Sequence, residues 1–408
     1  MKILHINQSD KYGGAAIAAY RLHRGLLAQN ISSRLLVGKA SSREQRTEEI
    51  PRSRIDSWLG CISTRLGLDH IHYTASFNIP NHAFYKQSDV LNFHNLHTTC
   101  FNYLAIPKLT RNKPAVFTHH DMWSFTGHCA YSYDCERWKT GCGRCPYPEV
   151  YKAIRKDGTW LEWRLKKWSY SRSNLTIVTP SKWLADQIAQ SMLDSFPIHH
   201  IPHGIDTTIY QVHDPDESRF LLGVPTNKKV VLFGADSLKN PRKGGDLVVK
   251  ALQMLPESLK KELVLVQLGD GGEYISKAVE METINLGYLS DEQLKPQVYS
   301  AADVFLFPTR ADNLPLMLQE SMACGTPMVS FAVGGVPDLV RPGITGYLAE
   351  PGNAGDFARG VIQLLEDDRM LETMGQRCRD IAVNEYSLEK QVKRYVALYD
   401  SVLAGYAR

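Results

Sequence analysis

Long hydrophobic runs, a disulfide framework and a strong charge imbalance are all missing from this sequence of 408 residues. No apolar run approaches the ~18 residues that a membrane-spanning helix needs, and the first residues have the pattern of a strand rather than of a secretory signal. Eight cysteines are too few for a disulfide scaffold in a chain of this size. The net charge of +4 and the pI near 8.5 fall short of the pI above about 9 that is typical of nucleic-acid-binding domains. These absences predict a globular cytoplasmic protein with no nucleic-acid partner.

Internal repeats, low-complexity segments and the dinucleotide-binding pattern Gly-x-Gly-x-x-Gly are also absent. The chain is nevertheless longer than the roughly 250–300 residues at which a single hydrophobic core stops growing. We therefore predict two domains, at residues 1–205 and 206–385, and a C-terminal helix at 386–408 that can cross back to the first domain. Residues 41–87 have no sustained periodicity and predict no particular architecture.

Residues 303–340 have the pattern of strand, loop, helix, strand and loop. The apolar run before Pro308 predicts a strand that is buried on both faces of a parallel sheet. Asp312 and Asn313 are of types that cap helices, and Pro315 suits a first helical turn, so we expect a helix to begin there. Such a turn directs backbone amides and the positive end of the helix dipole outward from the carboxyl edge of the sheet, which favours an anionic ligand such as a phosphate.

Two carboxylates frame this predicted turn. Asp312 lies in the loop, and Glu320 lies in the helix on the face that points back toward the loop. The helical rise separates them by roughly 10 Å, about the span from a diphosphate to the hydroxyls of a ribose. The spacing therefore suits a nucleotide. The alternative is that Asp312 only caps the helix and that Glu320 is only a solvated carboxylate.

The order of these residues resembles a known family. An acidic residue, seven residues and a glutamate, followed by Ser-Met-Ala-Cys-Gly-Thr-Pro and Gly-Gly-Val-Pro-Asp, resemble the donor-site signature of retaining family-four glycosyltransferases of the GT-B fold. The usual first residue is glutamate, so Asp312 is one methylene shorter. The form Asp-Asn-Leu-Pro resembles bacterial exopolysaccharide and colanic-acid-type enzymes.

The resemblance implies an α/β fold of two Rossmann-like domains facing each other across a cleft. It also implies a retaining transfer, without a catalytic metal, from a nucleotide-diphosphate-sugar to a glycan or lipid-linked acceptor in surface polysaccharide biosynthesis. Asp312 would bind the hydroxyls of the donor sugar, and Glu320 would bind the ribose. The diphosphate would be bound by the backbone of Asn313, Leu314, Pro315 and Leu316.

Basic residues in another loop match the phosphate-binding positions of the family. Lys243 corresponds to the family's phosphate lysine, whereas Ala235 stands where the family has an arginine, so Arg242 is the candidate to replace it. Both cations would neutralise a leaving diphosphate; solvated surface charges are the alternative. Gly13 and Gly14, after the first predicted strand, would let the backbone approach the donor diphosphate or the acceptor, unless they only form a tight turn.

Histidines follow two further predicted strands. The family has a His-Asp pair that matches His120 and Asp121, and this resemblance implies that His120 contacts the donor sugar or its phosphate. His119 is the alternative. For His94 and His97 we expect a buried, hydrogen-bonded role. Together with Asp312 and Lys243, His120 completes the set of catalytic candidates.

A loop at 121–148 contains a group of cysteines. The last two have the Cys-x-x-Cys spacing of a zinc knuckle, and four thiolates would stabilise a loop that has no core of its own. We predict a structural zinc; free thiols in a packed loop and a redox pair are the alternatives. The four candidate ligands are Cys129, Cys135, Cys142 and Cys145.

Residues 151–172 combine seven Lys or Arg with two acidic residues and three tryptophans. A basic helix that contains tryptophan could rest on an anionic membrane, at the inner face of the cytoplasmic membrane, and this would suit a lipid-linked acceptor. In the alternative, the helix is solvated and Trp160, Trp163 and Trp168 face the core.

Two rival functions remain open from the sequence. The first is a sugar phosphorylase or epimerase of the same fold. The second is a binding protein that uses the cysteine loop as a zinc knuckle and has a vestigial nucleotide site, a possibility that the missing arginine at Ala235 keeps open.

Overall fold

The computed structural model describes residues 1–42, 44–68, 70–97, 101–289 and 291–406, except for the side chain of residue 54. The chain divides into two compact units. The first consists of Met1–Gly204 with Gln391–Arg408, and the second consists of Ile205–Lys390. Each unit is built on a sheet of parallel strands with helices between them, which confirms the predicted α/β class. Within the described ranges, no helix combines the length and the apolarity that crossing a bilayer would require.

The first unit contains a sheet whose strands are β1 (Lys2–Ser9), β2 (Ser32–Lys39), β3 (Thr47–Glu49), β4 (Val90–Phe93), β5 (Ala115–Thr118), β6 (Leu175–Thr179) and β7 (Ile198–His200). They pair in parallel in the order β3-β2-β1-β4-β5-β6-β7. Every residue of β4 and β5 is buried, as expected for central strands covered on both faces. The helices are α1 (Gly14–Ala28), α2 (Arg54–Arg65), α3 (Ala83–Gln87), α4 (Ile106–Leu109), α5 (Thr159–Tyr170) and α6 (Lys182–Ile188).

Residues 41–87, for which the sequence predicted no architecture, contain β3, α2 and α3. A capping box starts α2. The Ser53 hydroxyl accepts a hydrogen bond from the N–H of Ile55 at 3.3 Å, and the Asp56 carboxylate accepts one from the N–H of Ser53 at 3.1 Å. Two backbone donors at the helix start are thereby satisfied.

The second unit contains a sheet whose strands are β8 (Lys229–Ser237), β9 (Leu263–Asp270), β10 (Glu282–Asn285), β11 (Val304–Phe307), β12 (Met328–Phe331) and β13 (Gly346–Ala349). They pair in parallel in the order β10-β9-β8-β11-β12-β13. The helices are α7 (Pro215–Leu222), α8 (Gly245–Gln253), α9 (Glu257–Glu262), α10 (Glu273–Ala278), α11 (Lys295–Ser300), α12 (Leu316–Ala323), α13 (Ala354–Leu365) and α14 (Asp368–Tyr386). The predicted succession of strand, helix and strand in 303–340 is present as β11, α12 and β12.

The last helix is α15 (Leu388–Tyr406), and its residues from Gln391 onward belong to the first unit. The Tyr399 hydroxyl accepts a hydrogen bond from the Asn92 amide of β4 at 2.7 Å. The hydroxyls of Tyr395 and Thr118, the latter in β5, lie 3.0 Å apart. Val392, Tyr395, Leu398 and Tyr399 are buried and recur at helical spacing, so they form the face of α15 that packs on the first unit.

Candidate functional site

The loops after β8, β11 and β12 meet at one edge of the second sheet, because these strands are parallel neighbours. The first loop carries Arg242 and Lys243, the second carries Asp312, and the third carries Gly334 and Gly335. The carboxyl ends of parallel strands form the edge at which open α/β sheets bind ligands. We call this group of loops the donor loops, after the role that the sequence predicts for them.

The carboxylate of Asp312 is the centre of the donor loops. Its Oδ2 lies 2.8 Å from Nη1 of Arg242 and 2.8 Å from Nζ of Lys243, and it accepts a hydrogen bond from the Thr309 hydroxyl at 3.2 Å. Asp312 is buried. Charge-assisted hydrogen bonds to two cations offset the unfavourable burial of this charge. The structure therefore brings together three of the residues that the sequence singled out.

The electrostatics of the donor loops favour an anion. Burial acts to raise the pKa of Asp312, but the charges of Arg242 and Lys243 outweigh burial and hold that pKa below its ordinary value. Burial lowers the pKa of Lys243, and the attraction of Asp312 only partly offsets this effect. At Asp312 itself two cations meet one carboxylate, which leaves an excess of positive charge there, and the charge of Asp236 also acts on Lys243.

Two close backbone approaches hold the donor loops together. Gly334 has a φ of +52°, and a Cβ built on it would lie 2.0 Å from the carbonyl oxygen of Asp312, which also accepts a hydrogen bond from the N–H of Gly335 at 3.1 Å. Gly244 has a φ of +72°, and a Cβ there would lie 1.9 Å from the carbonyl oxygen of Pro308. Only glycine fits either position. Gly334 and Gly335 come just after a predicted strand, and this position is the signal from which their structural role could be predicted.

Arg310 is a further residue that sequence reasoning missed. The guanidinium of Arg310 donates to both carboxylate oxygens of Asp246, at 2.8 and 2.7 Å. The backbone N–H of Arg310 donates to the backbone carbonyl oxygen of Arg242 at 2.8 Å. Arg242 in turn donates through Nη1 to the carbonyl oxygen of Ala311 at 2.7 Å. These bonds orient Arg242 relative to Asp312.

Helix α12 begins later than the sequence predicted. It starts at Leu316 with Pro315 as its N-cap residue, so the expectation that Asp312 or Asn313 caps the helix was wrong. The reason is that side chains from another loop bind the Asp312 carboxylate instead. Pro315 has no N–H, so only Asn313, Leu314 and Leu316 can offer backbone amides to a ligand in this turn.

Glu320 lies inside α12 and is buried, so it is not the solvated helix carboxylate of the alternative interpretation. Its Oε2 accepts a hydrogen bond from the Tyr299 hydroxyl of α11 at 3.0 Å. Burial, with the negative charge of Glu320, raises the pKa of Tyr299 well above its ordinary value, so this phenol remains a donor. The contact of Glu320 with a ribose stays a prediction.

Thirteen of the fourteen histidines lie in residues 1–204, and four of them form a buried chain. Nδ1 of His5 lies 2.9 Å from Nε2 of His94, and Nδ1 of His94 lies 3.0 Å from Nε2 of His120. The ring of His120 stacks on that of His203 with centroids 5.1 Å apart. Burial lowers the pKa of His120 to about 4 and the pKa values of the other three well below the ordinary value. All four are therefore neutral near pH 7.

His119 and His120 have different surroundings. Nδ1 of His119 lies 2.6 Å from the Ser124 hydroxyl, away from the chain that includes His120. Nε2 of His97 lies 2.8 Å from the carboxylate of Asp121. The buried, hydrogen-bonded role expected of His94 and His97 is confirmed, whereas contact of His120 with a sugar stays a prediction.

Gly13 and Gly14 border open space at the start of α1. Gly13 has a φ of +87°, which requires glycine, and α1 begins at Gly14. A Cβ built on either glycine would meet no atom of the described residues within 4 Å. A ligand could approach this backbone closely, but such an approach stays a prediction.

Two family profiles match adjoining parts of the chain. The profile described as Glycosyltransferase Family 4 matches residues 12–209, and the profile described as Glycosyl transferases group 1 matches residues 214–380. The chain belongs to the family 4, group 1 glycosyltransferases.

This glycosyltransferase is 26% identical over 351 residues to the putative colanic acid biosynthesis glycosyl transferase WcaC of Escherichia coli, a match that covers 81% of this chain and 83% of the relative. It is 28% identical over 203 residues to the N-acetyl-alpha-D-glucosaminyl L-malate synthase of Bacillus anthracis. That match covers 49% of this chain and 52% of the relative, so the chain spans about half the length of this second relative.

Solved structures confirm the GT-B fold of this glycosyltransferase. The sucrose-phosphate synthase of Thermosynechococcus elongatus superimposes with a TM-score of 0.73 at 18% identity, over 99% of this chain and 100% of that one. The Anabaena protein Alr3699/HepE in complex with UDP-glucose superimposes with a TM-score of 0.70 at 18% identity, over 98% and 100% of the two chains.

Hydrogen-bonding groups lie beside two of the four clustered cysteines of the glycosyltransferase. In the part of the chain that the structure describes, which includes all four, no group of three or more His, Cys, Asp or Glu side chains is placed to hold a metal. Cys142 Sγ instead accepts a hydrogen bond from the N–H of Gly127 at 3.2 Å, and Cys145 Sγ lies 3.1 Å from Nε2 of His128. Burial raises the pKa of the Cys142 thiol to about 11. The arrangement does not support a structural zinc at Cys129, Cys135, Cys142 and Cys145, which stays a prediction.

Helix α5 divides its three tryptophans between core and surface. Trp163 is buried and donates through Nε1 to the carbonyl oxygen of Trp138 at 2.9 Å. Trp160 and Trp168 are about half exposed, each beneath an arginine guanidinium, that of Arg164 or Arg172. Neither sequence interpretation of this helix describes it completely.

Proposed function

We propose that this chain is a retaining glycosyltransferase that moves a sugar from a nucleoside-diphosphate-sugar to a glycan or lipid-linked acceptor in surface polysaccharide biosynthesis. In this proposal the second unit binds the donor, the first unit receives the acceptor, and the reaction takes place in the cytoplasm. One observation carries the proposal: the buried carboxylate of Asp312 lies 2.8 Å from both Arg242 and Lys243, in the loop that leads into α12.

Arg242 and Lys243 supply the charge that a departing diphosphate requires. Negative charge grows on the diphosphate as its bond to the sugar breaks, so fixed cations stabilise the transition state more than the ground state. The backbone amides at the start of α12, including that of Leu316, add partial positive charge on the same side. Because Asp312 and neighbouring carbonyl oxygens already orient both cations, little rearrangement is needed when the donor binds.

Asp312 retains an oxygen for the sugar. The two cations and Thr309 bind Oδ2, whereas Oδ1 makes no hydrogen bond to any residue in the described ranges. A carboxylate oxygen accepts hydrogen bonds from hydroxyl groups. Asp312 can therefore position the cations with one oxygen and the donor sugar with the other.

The remaining roles follow from the same proposal. His120 contacts the donor sugar or its phosphate, Glu320 binds the ribose, and the backbone at Gly13 and Gly14 approaches the diphosphate or the acceptor. The acceptor oxygen bonds to the anomeric carbon as the bond to the diphosphate breaks, and a diphosphate oxygen takes the acceptor proton on the same face. This route retains the anomeric configuration and involves no protein nucleophile and no catalytic metal.

Two relatives support the choice of substrates. The solved Anabaena protein binds UDP-glucose, so uridine diphosphate sugars are the first donors to test. The Escherichia coli relative is described as a colanic acid biosynthesis enzyme, which supports an acceptor in surface polysaccharide synthesis.

Ligand-dependent thermal unfolding tests the donor site. We expect one nucleoside diphosphate to raise the Tm of the wild-type chain and Lys243→Ala to abolish the shift, because the ammonium group at Asp312 is lost. Lys250→Ala is the matched control, since Lys250 is an exposed lysine of α8 with no contact to Asp312. A chain that no nucleotide stabilises would contradict the proposal.

Product analysis then separates the related chemistries. Transfer of the sugar to an acceptor with retained configuration supports the proposal. Release of a sugar phosphate in phosphate buffer would identify a phosphorylase instead, and interconversion of the donor would identify an epimerase.

A further inference from the structure

Helix α2 turns its apolar side toward solvent. Ile55, Trp58 and Ile62, with Leu66 just after the helix, recur at intervals of three or four residues and therefore share one face. Their exposed fractions are 59%, 66%, 42% and 56%. Surface helices normally bury such a face, and contiguous exposed apolar residues mark an interaction site.

Polar contacts determine this orientation. The buried side of α2 carries Asp56, whose Oδ1 accepts hydrogen bonds from the N–H and the hydroxyl of Thr74 at 3.0 and 2.7 Å. Two turns later, the buried Ser63 hydroxyl lies 3.0 Å from Nδ1 of His72. Rotating the helix to bury Trp58 would break these bonds. The outward position of the apolar face is therefore part of the fold.

A basic groove runs beside the apolar face of α2. Its volume is about 660 Å³, and Arg52, Arg65, Arg155 and Lys156 line it. All four side chains are exposed, and within the part of the chain that the structure describes none of them is ion-paired. One side of the groove is formed by α2 and the other by the segment that contains Arg155 and Lys156. The two sides contact each other at Gly67, just after α2, where a Cβ would lie 2.6 Å from the carbonyl oxygen of Lys156.

We propose that the apolar face of α2 and this basic groove form a membrane-docking surface for a leaflet that contains anionic phospholipid. The apolar side chains enter the boundary between headgroups and acyl chains, and lipid phosphates occupy the groove. An apolar helix face next to unpaired Lys and Arg is the composition that binds such interfaces. The proposal goes beyond the proposed function, since it does not depend on donor binding or sugar transfer.

Charge favours a membrane over a second copy of this chain. Self-association through α2 would bring two sets of four cations together, whereas an anionic leaflet neutralises them. The groove and the apolar stripe are also adjacent, so one flat surface can engage both. The apolar part of this surface lies on α2 and not in residues 151–172, where the sequence predicted the membrane contact, whereas Arg155 and Lys156 of the groove do belong to that stretch.

Co-sedimentation of the full chain with lipid vesicles tests the docking surface. Vesicles of phosphatidylcholine alone are compared with vesicles that also contain phosphatidylglycerol, at low and at high salt. We expect binding to the anionic vesicles that weakens as salt screens the basic groove. Free inorganic phosphate at the same ionic strength should not compete better than chloride, because the surface requires lipid rather than phosphate alone.

Two double variants separate the contribution of the apolar face of α2 from that of the basic groove. Trp58→Ser with Ile62→Ser should abolish sedimentation, and Arg65→Glu with Lys156→Glu should weaken it at least five-fold for each charge, since each basic residue near an anionic surface contributes about 1 kcal/mol. Phe220→Ser is the matched control, because Phe220 is 86% exposed on α7, outside this surface. Circular dichroism checks that every variant is folded.

Three outcomes would overturn the proposal. One is equal binding to neutral and anionic vesicles, and another is unchanged binding of the Trp58→Ser, Ile62→Ser variant. The third is a dimer in size-exclusion chromatography that this variant converts to a monomer while neither protein binds vesicles, which would identify α2 as a contact between copies. None of these measurements depends on nucleotide binding, so the result stands apart from that of the proposed function.

Discussion

Nδ1 of His94 lies 3.0 Å from Nε2 of His120, and this contact links the tautomer of His120 to that of His5. A neutral imidazole has one N–H, so each nitrogen pair in the chain needs one donor and one acceptor. If His120 donated from Nε2 to Nδ1 of His94, His94 would have its own proton on Nε2 and would donate it to Nδ1 of His5. The proton of His5 would then lie on its Nε2, which is buried and makes no hydrogen bond within the described ranges. A buried donor without a partner costs about 1–3 kcal/mol. In the opposite direction the proton lies on Nδ1 of His120, which is a buried nitrogen too, so both directions place a proton on a buried ring nitrogen and the three tautomers change together.

The first prediction concerns this chain of imidazoles. Nitrogen-15 NMR of the full chain should show linked tautomers for His5, His94 and His120, and His94→Phe should remove this linkage because both neighbouring rings lose their partner. Sugar transfer should fall in the variant while nucleoside diphosphate affinity stays within about two-fold. His23→Phe is the control, since buried His23 lies 2.7 Å from the Ser33 hydroxyl and meets the chain only edge-on at His5, with ring centroids 6.3 Å apart. Equal loss of activity in both variants would argue for a purely structural role.

The second prediction is a loss of stability in mild acid. The unfolded chain protonates its histidines below about pH 6.5, whereas the pKa of folded His120 is about 4 and those of His5, His94 and His203 lie well below the ordinary value. Between these limits the unfolded state binds more protons, so the free energy of unfolding decreases as pH falls, by up to about 1.4 kcal/mol per pH unit for each histidine. Urea unfolding at several pH values measures the slope, and His94→Phe should reduce it. A flat profile between pH 7 and pH 5 would contradict the burial of these rings.

The third prediction separates the roles of Asp312 and Lys243. Asp312→Asn keeps the shape but removes the negative charge between two cations, so it should bind nucleoside diphosphate at least as tightly as the wild type. Transfer should fall by at least about a hundred-fold, because the cations and the sugar lose their common orienting group. Lys243→Ala should weaken both affinity and transfer. Calorimetric titration and initial rates measure the two effects, and a loss of affinity in Asp312→Asn would show that the carboxylate does not act as described.

The fourth prediction uses a pair of glycines with similar conformation. Gly334→Ala and Gly343→Ala both place a side chain at positive φ, at +52° and +71°, and each should lose about 1 kcal/mol of stability for that reason. Only the Cβ at 334 would collide with the carbonyl oxygen of Asp312; at 343 it would meet open space. Donor binding should therefore fall in Gly334→Ala and remain in Gly343→Ala. Equal behaviour of the two variants would mean that Asp312 tolerates displacement.

The fifth test concerns the cysteine loop. The spacing of Cys142 and Cys145 predicts about one zinc per chain in protein purified without added metal under reducing conditions, and a lower Tm after chelation. Metal analysis by mass spectrometry measures the first effect, and Cys145→Ser should remove the zinc. If no zinc is found, these cysteines are the hydrogen-bonded thiols seen at Gly127 and His128.

Much of the fold was accessible from the sequence because it follows local rules. Apolar runs of four to eight residues with Gly and Pro at their ends specify buried parallel strands and the helices between them, and this pattern located β11, α12 and β12. The same stretch identified Asp312 and Glu320 as acidic groups near one sheet edge. The start of α12 was misplaced, because the competing partner of the Asp312 side chain lies in a distant loop.

The sequence alone determined which residues are apolar, which carry charge and in what order the strands and helices follow, since each of these depends on neighbours a few residues apart. The tertiary structure decided which partner each polar group has. The cations that bind Asp312 lie some seventy residues earlier in the chain, the glycine that holds its backbone approaches from the next strand, and hydrogen bonds to Thr74 and His72 turn α2 outward. The partner of each polar group depends on the relative energies of contacts between segments that are distant in the sequence. A local sequence pattern carries no information about those energies.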